Sequence, residues 1–488
     1  MNKKLTLFLL ATLLSTTNIL SQRKITLDDI IGLARNQSPF AKQAETQREN
    51  RYWGYRFFRS NYNPQLTLSG SMPGYVNAIL PIEQNDGSVQ FGSVNQINTR
   101  LNMGLIQPIT LTGGELSINS NISFFDRLGD NISNSSWRGS PFTIDLEQPL
   151  FAFNQLKWDK KTEPLRYEES KREYVEELES ISRESVARFF NYLDAQVNLQ
   201  IAQFNLANND TIYRIEQGRY NIGTTSKDKL LQVELQLLRS EQAVAQAQLD
   251  LETSSLRLRS YISLNDIDQF ELVLPEEIPQ FEINYGEALN YAQSYRADYL
   301  AFQRRKLEAQ RDVANARASR FSSVLTATFG LNDTGDGLTD VYMNPDDEQR
   351  VDIGFTIPLV TWGRNEATMK RALANQRLQD YVIAQDELNF EQEILTQVRQ
   401  FEVLRTQLEI SKKSDEVAQE RYNVAQNRYL IGKIDITNLN IALEEKDEAK
   451  RSYILALRDF WTAYYNLREL TLYDFAEGKL LYSEDASN

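Results

Sequence analysis

The sequence predicts a mixed α and β protein built as an internal two-fold repeat, in which short amphipathic strands precede long antiparallel helical hairpins. Three observations carry this. Arg219-Tyr220-Asn221-Ile222-Gly223 returns as Arg428-Tyr429-Leu430-Ile431-Gly432. Gln148-Pro149-Leu150-Phe151 returns as Ile357-Pro358-Leu359-Val360 at the same offset, since 358 − 149 = 432 − 223 = 209. Residues 157–217 and 366–426 hold no glycine and a single proline, Pro164. A register kept over that distance marks two copies of one structural unit.

Composition narrows the function. The chain has 488 residues, Lys+Arg 53 against Asp+Glu 67, and a net charge of −14. That balance argues against a nucleic-acid surface, because phosphate binding needs clustered cations. Cysteine and histidine are both absent. Disulfides, thiolate nucleophiles, imidazole bases and the commonest metal ligand go with them. No catalytic residue, cofactor or metal is expected, and an enzyme is disfavoured.

The start of the chain reads as an export signal. Asn2-Lys3-Lys4 precedes an apolar run from Leu5 to Leu13, and cleavage is expected after Ser21. The run is too short to span a bilayer, and no later segment is apolar for about 18 residues. With no cysteine at the junction, a thioether lipid anchor is not expected there.

The elements follow in order. Leu27, Ile30, Ile31 and Ala34 recur at helical spacing, with Asp28 and Asp29 in the first turn, and a helical pattern runs over 25–58. Ile283, Ala288, Leu289 and Ala292 occupy the places of Ile25, Ile30, Ile31 and Ala34, an offset of 283 − 25 = 258. The first half therefore carries an insertion of 258 − 209 = 49 residues.

Strands come next, each alternating with period two. Leu66 and Leu68 alternate with Gln65, Thr67 and Ser69; Phe142, Ile144 and Leu146 alternate with Thr143, Asp145 and Glu147. In the second half Leu325, Ala327 and Phe329 do the same, as do Val351, Ile353 and Phe355. Each such strand has one apolar and one polar face. The insertion is strand-like too, with Leu101, Met103 and Leu105 before a Gly113-Gly114 turn and Leu116, Ile118 and Ile122 after it. It either extends the sheet to six strands per chain or folds as a hairpin outside it. Asp145 and Glu147 read as charges on the polar face. Trp53, Tyr55, Phe57 and Phe58 stand where membrane-interface aromatics would sit.

Past each proline the pattern is helical for about 60 residues, roughly 90 Å of helix. The two Arg-Tyr-x-Ile-Gly motifs are turns, with glycine supplying the positive φ that ends a helix. Return helices run over 226–262 and 435–470. In the first of them Leu230, Leu237, Val244, Leu251 and Leu258 recur every seventh residue, with a second stripe at Leu235, Leu249 and Leu256, a coiled-coil signature. Trp461, Tyr464 and Tyr465 read as helix-packing residues. Residues 22–265 are the first repeat, 266–282 an irregular linker with strand-like pieces, 283–471 the second repeat, and 472–488 a similar tail whose acidic, polar end is expected to be disordered.

Two or four short amphipathic strands per half cannot close a barrel alone, and an open sheet cannot sit in lipid with unpaired edges. Membrane strands here would have to be pooled by several copies, with the hairpins packing into a hollow cylinder. The ordered motifs, together with Pro358-Leu359-Val360-Thr361-Trp362-Gly363 and Thr110-Leu111-Thr112-Gly113-Gly114, resemble the TolC-like outer-membrane efflux proteins. The resemblance covers essentially all of the chain after the signal.

It implies a homotrimer: an outer-membrane β-barrel continued by a long α-helical coiled-coil barrel in the periplasm, with the linker in its equatorial region. It further implies a periplasmic adaptor and an inner-membrane transporter as partners, with outer-membrane lipid around the barrel. The hairpin tips that would meet the adaptor hold Arg219, Tyr220, Ile222, Gly223 and Thr224, and Arg428, Tyr429, Ile431, Gly432 and Lys433. The family's aperture gate of tyrosine, arginine and aspartate maps onto Tyr429, with Asn438 and Ile441 where acidic residues are expected and Asp435 as the substitute. The cargo reads equally as small toxic compounds or a secreted polypeptide. The competing reading is a secreted coiled-coil structural or binding protein, soluble without detergent.

Overall fold

The computed structural model describes residues 23–84, 86–128, 134–264, 270–275 and 277–483. The export signal and the last five acidic and polar residues lie outside them. Two compact units are present, one made of residues up to 48, 171–296 and 389 onward, the other of 49–170 and 297–388.

The second unit is built on one sheet. Strands β2 (Gln65–Glu83), β3 (Val89–Ile109), β4 (Gly114–Arg127) and β5 (Asn134–Leu150) come from the first half. β7 (Ser322–Gly335) and β8 (Asp346–Thr356) come from the second. All six join in the order β2-β3-β4-β5-β7-β8, every pair antiparallel. The inserted hairpin is thus in the sheet, between the strands that the two halves share. Gly113 (φ 77°) makes the β3–β4 turn, as its glycine pair demands. β5 leads into α3 (Gln155–Asn221) and β8 is followed by α8 (Arg364–Leu430), 67 residues each.

The other unit is helical. β1 (Arg23–Ile25) pairs in parallel with β6 (Phe270–Leu272). The predicted first helix is two: α1 (Leu27–Gln37) and α2 (Pro39–Ser60). Ser38 separates them in extended conformation, because a residue before proline is pushed out of the helical region. Thr26 and Asp29 cap α1 reciprocally, and Ser38 Oγ accepts from the Ala41 amide to start α2. The second half repeats this with α5 (Tyr285–Tyr295) and α6 (Ala297–Ala318), each boundary displaced by 258, where α6 and the part of α2 from residue 49 onward belong to the sheet unit. The return helices α4 (Lys227–Ile262) and α9 (Ile436–Thr471) likewise stand 209 apart, as do α3 and α8.

Phe189, Phe190, Leu258, Ile262, Phe401, Ile454, Leu457 and Phe460 are nearly or fully buried and form much of the core. In α4 the stripe with Leu230, Leu237, Val244, Leu251 and Leu258 turns inward, while Leu235, Leu249 and Leu256 remain exposed. α8 is divided in the same way. Ile394, Phe401, Leu408 and Tyr422 are buried, whereas Val403, Ile410, Val417 and Val424 form an exposed stripe at seven-residue spacing.

The tail carries the strand-like pieces expected of it. β9 (Tyr473–Asp474) and β10 (Lys479–Leu480) form a small hairpin, and Tyr482 is buried. Asp474 is the reason. It accepts from Tyr464 Oη at 2.6 Å and Arg468 Nη1 at 2.7 Å, which fixes the segment on α9. Trp461, Tyr464 and Tyr465 pack edge to face within this region, as predicted. The aromatics of α2 divide: Tyr55 stacks on Tyr167 and Phe58 packs on Tyr62, while Trp53 and Phe57 are exposed.

Candidate functional site

Both hairpin tips close with one device. In the first, the Thr224 amide donates to Arg219 O (2.9 Å) and Gly223 to Tyr220 O (3.0 Å). In the second, Lys433 donates to Arg428 O and Gly432 to Tyr429 O, both at 2.9 Å. This is the Schellman arrangement, which needs a left-handed residue at glycine. Gly223 (φ 77°) and Gly432 (φ 74°) supply it. The return helices are then capped, α4 by Ser226 and α9 by Asp435, whose Oδ1 accepts from the Asn438 amide and Nδ2.

Across the tips, Tyr429 is only 4% exposed. It lies in a cluster with Val233, Tyr422, Ile436, Leu439 and Leu443. Its hydroxyl donates to Glu216 Oε1 at 3.0 Å, and Arg219 Nη1 donates to the same oxygen at 2.6 Å. The Arg219 guanidinium also sits 5.8 Å from the Tyr429 ring centre. Two turns away, Asn208 donates to the Tyr422 hydroxyl at 2.9 Å. Burial opposes ionisation of Glu216, but hydrogen bonds from Arg219, Tyr429 and Thr225 outweigh it and hold the carboxyl below its usual range. Burial and the Glu216 charge push the Tyr429 phenol up to about 12.

Of the residues that the sequence singled out, Arg219 and Tyr429 are therefore brought together with an acid. The acid is Glu216, one turn before Arg219, which sequence reasoning passed over. Asp435 and Asn438 are exposed and bonded to each other. Tyr220, Ile222 and Ile431 are exposed at the tips.

The sheet has two chemically distinct faces. The register aligns Leu66, Leu105, Ile118, Ile144 and Phe329 in one row. The next row holds Leu116, Leu146, Ala327 and Val351. Most of these large side chains are exposed; Leu66 is at 68% and Val351 at 60%. On the opposite face Ser117, Asp145, Thr328 and Arg350 align. There Asp145 accepts from Asn119 (2.8 Å), Thr143 (3.0 Å) and Thr328 (2.6 Å). A soluble sheet buries its apolar face, and this one leaves it bare. Among the described residues the outer edges of β2 and β8 have no partner strand in the sheet. Among the described residues no helix is long and apolar enough to cross a membrane, and no acidic cluster is arranged to hold a metal ion.

Residues 111–263 and 288–471 match the outer membrane efflux protein family, one segment in each half of the repeat. The chain belongs to this family. Membership places it among outer-membrane efflux channels, which are not enzymes. No curated protein matches the sequence. The Campylobacter jejuni CmeC outer membrane channel is 16% identical with a TM-score of 0.67, over 95% of this chain and 88% of that one. The Vibrio cholerae outer membrane protein VceC is 14% identical with a TM-score of 0.61, over 93% and 97%. The Neisseria gonorrhoeae MtrE outer membrane channel, in its open state, is 18% identical with a TM-score of 0.59, over 93% and 89%. At these identities the likeness is one of fold.

Proposed function

We propose that this chain is the outer-membrane exit duct of a tripartite efflux or type I secretion system and that it works as a homotrimer. The observation that carries the reading is the sheet with one bare apolar face, one hydrogen-bonded polar face and two free edges. Such a sheet is stable in lipid only when its edges are paired. Three copies, joined β2 to β8, would close a barrel of 3 × 6 = 18 strands, an even number as bacterial barrels have. Apolar side chains then face lipid, and Asp145 and its neighbours face water in the lumen.

The helical unit supports the same reading. The exposed stripes on α4 and α8 are unfilled coiled-coil seams, each suited to a helix of another copy. The tips, with Tyr220, Ile222 and Ile431 exposed, are offered to a periplasmic adaptor. Glu216, Arg219 and Tyr429 tie one hairpin to the other and hold the aperture closed until it docks. The chain contributes no chemistry; an inner-membrane transporter drives the cargo.

Cell fractionation and bilayer recording test this together. The protein is expected in the outer-membrane fraction and, reconstituted in planar lipid bilayers, to conduct ions in discrete steps. Recovery as a detergent-free soluble protein without conductance would leave a secreted coiled-coil binding protein instead.

A further inference from the structure

We propose that the β7–β8 loop is a lipid-facing clasp, whose side chains enter the acyl chains at the outer rim of the barrel. The proposal rests on the barrel reading above. The loop folds back on the sheet as a short helix, α7 (Asp340–Met343), packed on β5 and β7. Gly337 N donates to Asp340 Oδ2 at 2.8 Å and sets the turn.

The side on which α7 lies decides the partner. Gly139 pairs with Ile122, so its Cα–H points to the apolar face. A Cβ built there would lie 3.8 Å from Ile122 Cγ1 and 2.6 Å from Val341 Cγ1. Val341, fully buried, takes the place of the missing side chain. Asp340 covers Gly335 in the same way, its Cβ 2.4 Å from where a Gly335 Cβ would be. α7 therefore rides on the lipid face and not in the lumen.

The level is also defined. On that face Phe142 and Leu331 are paired, and one row further the residue on β7 is Asp333, opposite Gly139. On β4 the apolar row ends at Phe124, with Asp126 beyond it, and on β8 it ends at Val351, with Gln349 and Asp347 beyond it. Phe124 and Trp137, with ring centres 4.7 Å apart, flank the same boundary. Aromatic girdles mark the interface on membrane barrels. With Val341 as the anchor, the loop leaves Leu338, Tyr342 and Met343 at 45%, 51% and 74% exposure. Apolar side chains at that level suit the boundary where acyl chains meet headgroups, at which Asp333 and Asp340 on the same face still meet water.

The chain has no cysteine, so single-cysteine variants report one position each. Met343→Cys, Phe329→Cys and Ser117→Cys, labelled with bimane, are reconstituted in phosphatidylethanolamine–phosphatidylglycerol vesicles with plain or dibrominated acyl chains. Bimane at 343 and at 329 should lose about twofold in intensity in the brominated vesicles, and at 117 should respond only to iodide. Quenching at 329 with position 343 open to iodide alone would overturn the clasp and leave the barrel standing. Position 343 shielded from both quenchers would mean that another polypeptide covers α7, which also overturns the lipid assignment. No bromine quenching at 329 would remove the barrel, and the clasp with it.

Discussion

The phenol of Tyr429 donates to the carboxylate of Glu216 across 3.0 Å, joining two hairpins whose partners stand 213 positions apart in the chain. Arg219 binds the same oxygen, so the carboxylate is the shared acceptor of both tips. Tyr429→Phe keeps the ring and deletes one hydrogen bond to a charged group, a loss of about 1.5–3 kcal/mol. The expected result is a higher basal conductance in planar bilayers with an unchanged fold. Unaltered conductance in Tyr429→Phe and Glu216→Gln alike would remove this contact from the gate.

Acid should loosen the same tip. The Glu216 pKa is held below the ordinary glutamate value of 4.5, so its contribution is fully present above that value and is lost as pH falls through the lowered pKa. Tyr429, raised to about 12, stays protonated throughout. Single-channel recording is expected to show more frequent opening below about pH 4.5 in the parent protein, with the rise blunted in Glu216→Gln.

Glu179 holds the helical unit together by another route. It is fully buried and accepts from Arg35 Nη1 at 2.7 Å and Arg468 Nε at 2.9 Å. Glu179→Ala leaves the largely covered Arg468 with Asp474 alone and is expected to destabilise the fold by about 3 kcal/mol. Thermal unfolding in detergent reads this as a lowered Tm, while Arg399→Ala at an exposed pair is expected to change little.

The two sheet faces should respond oppositely to charge. Ile353→Lys on the apolar face is expected to cost about 2–4 kcal/mol near the bilayer midplane and to lower the amount of assembled protein in the outer membrane. Thr326→Lys, paired opposite Glu147 and Asp352 on the polar face, should assemble normally. Equal assembly of the two variants would contradict the assignment of the faces.

Much of this was legible before the fold, because local rules set it. The period-two runs gave the strands, and Gly223 and Gly432 gave the tips through the left-handed conformation that only glycine adopts cheaply. Pairing of the inserted hairpin was not legible, since a strand's own alternation does not say which neighbour it takes. The break at Ser38-Pro39 comes from the proline, while the helical spacing that continues on both sides of it reads as one helix. Asp474 and Glu179 were hidden for a different reason. Their partners, Tyr464 and Arg468 for one and Arg35 and Arg468 for the other, are set by helix packing, which composition does not reveal. Glu216 belongs to the same class.

Trimerisation is the central claim, because neither the free edges of β2 and β8 nor the exposed seams of α4 and α8 are satisfied within one chain. Native mass of the detergent-extracted protein tests it most directly. A particle of three chains is the predicted result. A single chain, stable and monodisperse once the detergent is removed, would contradict the duct and leave a soluble helical-hairpin protein.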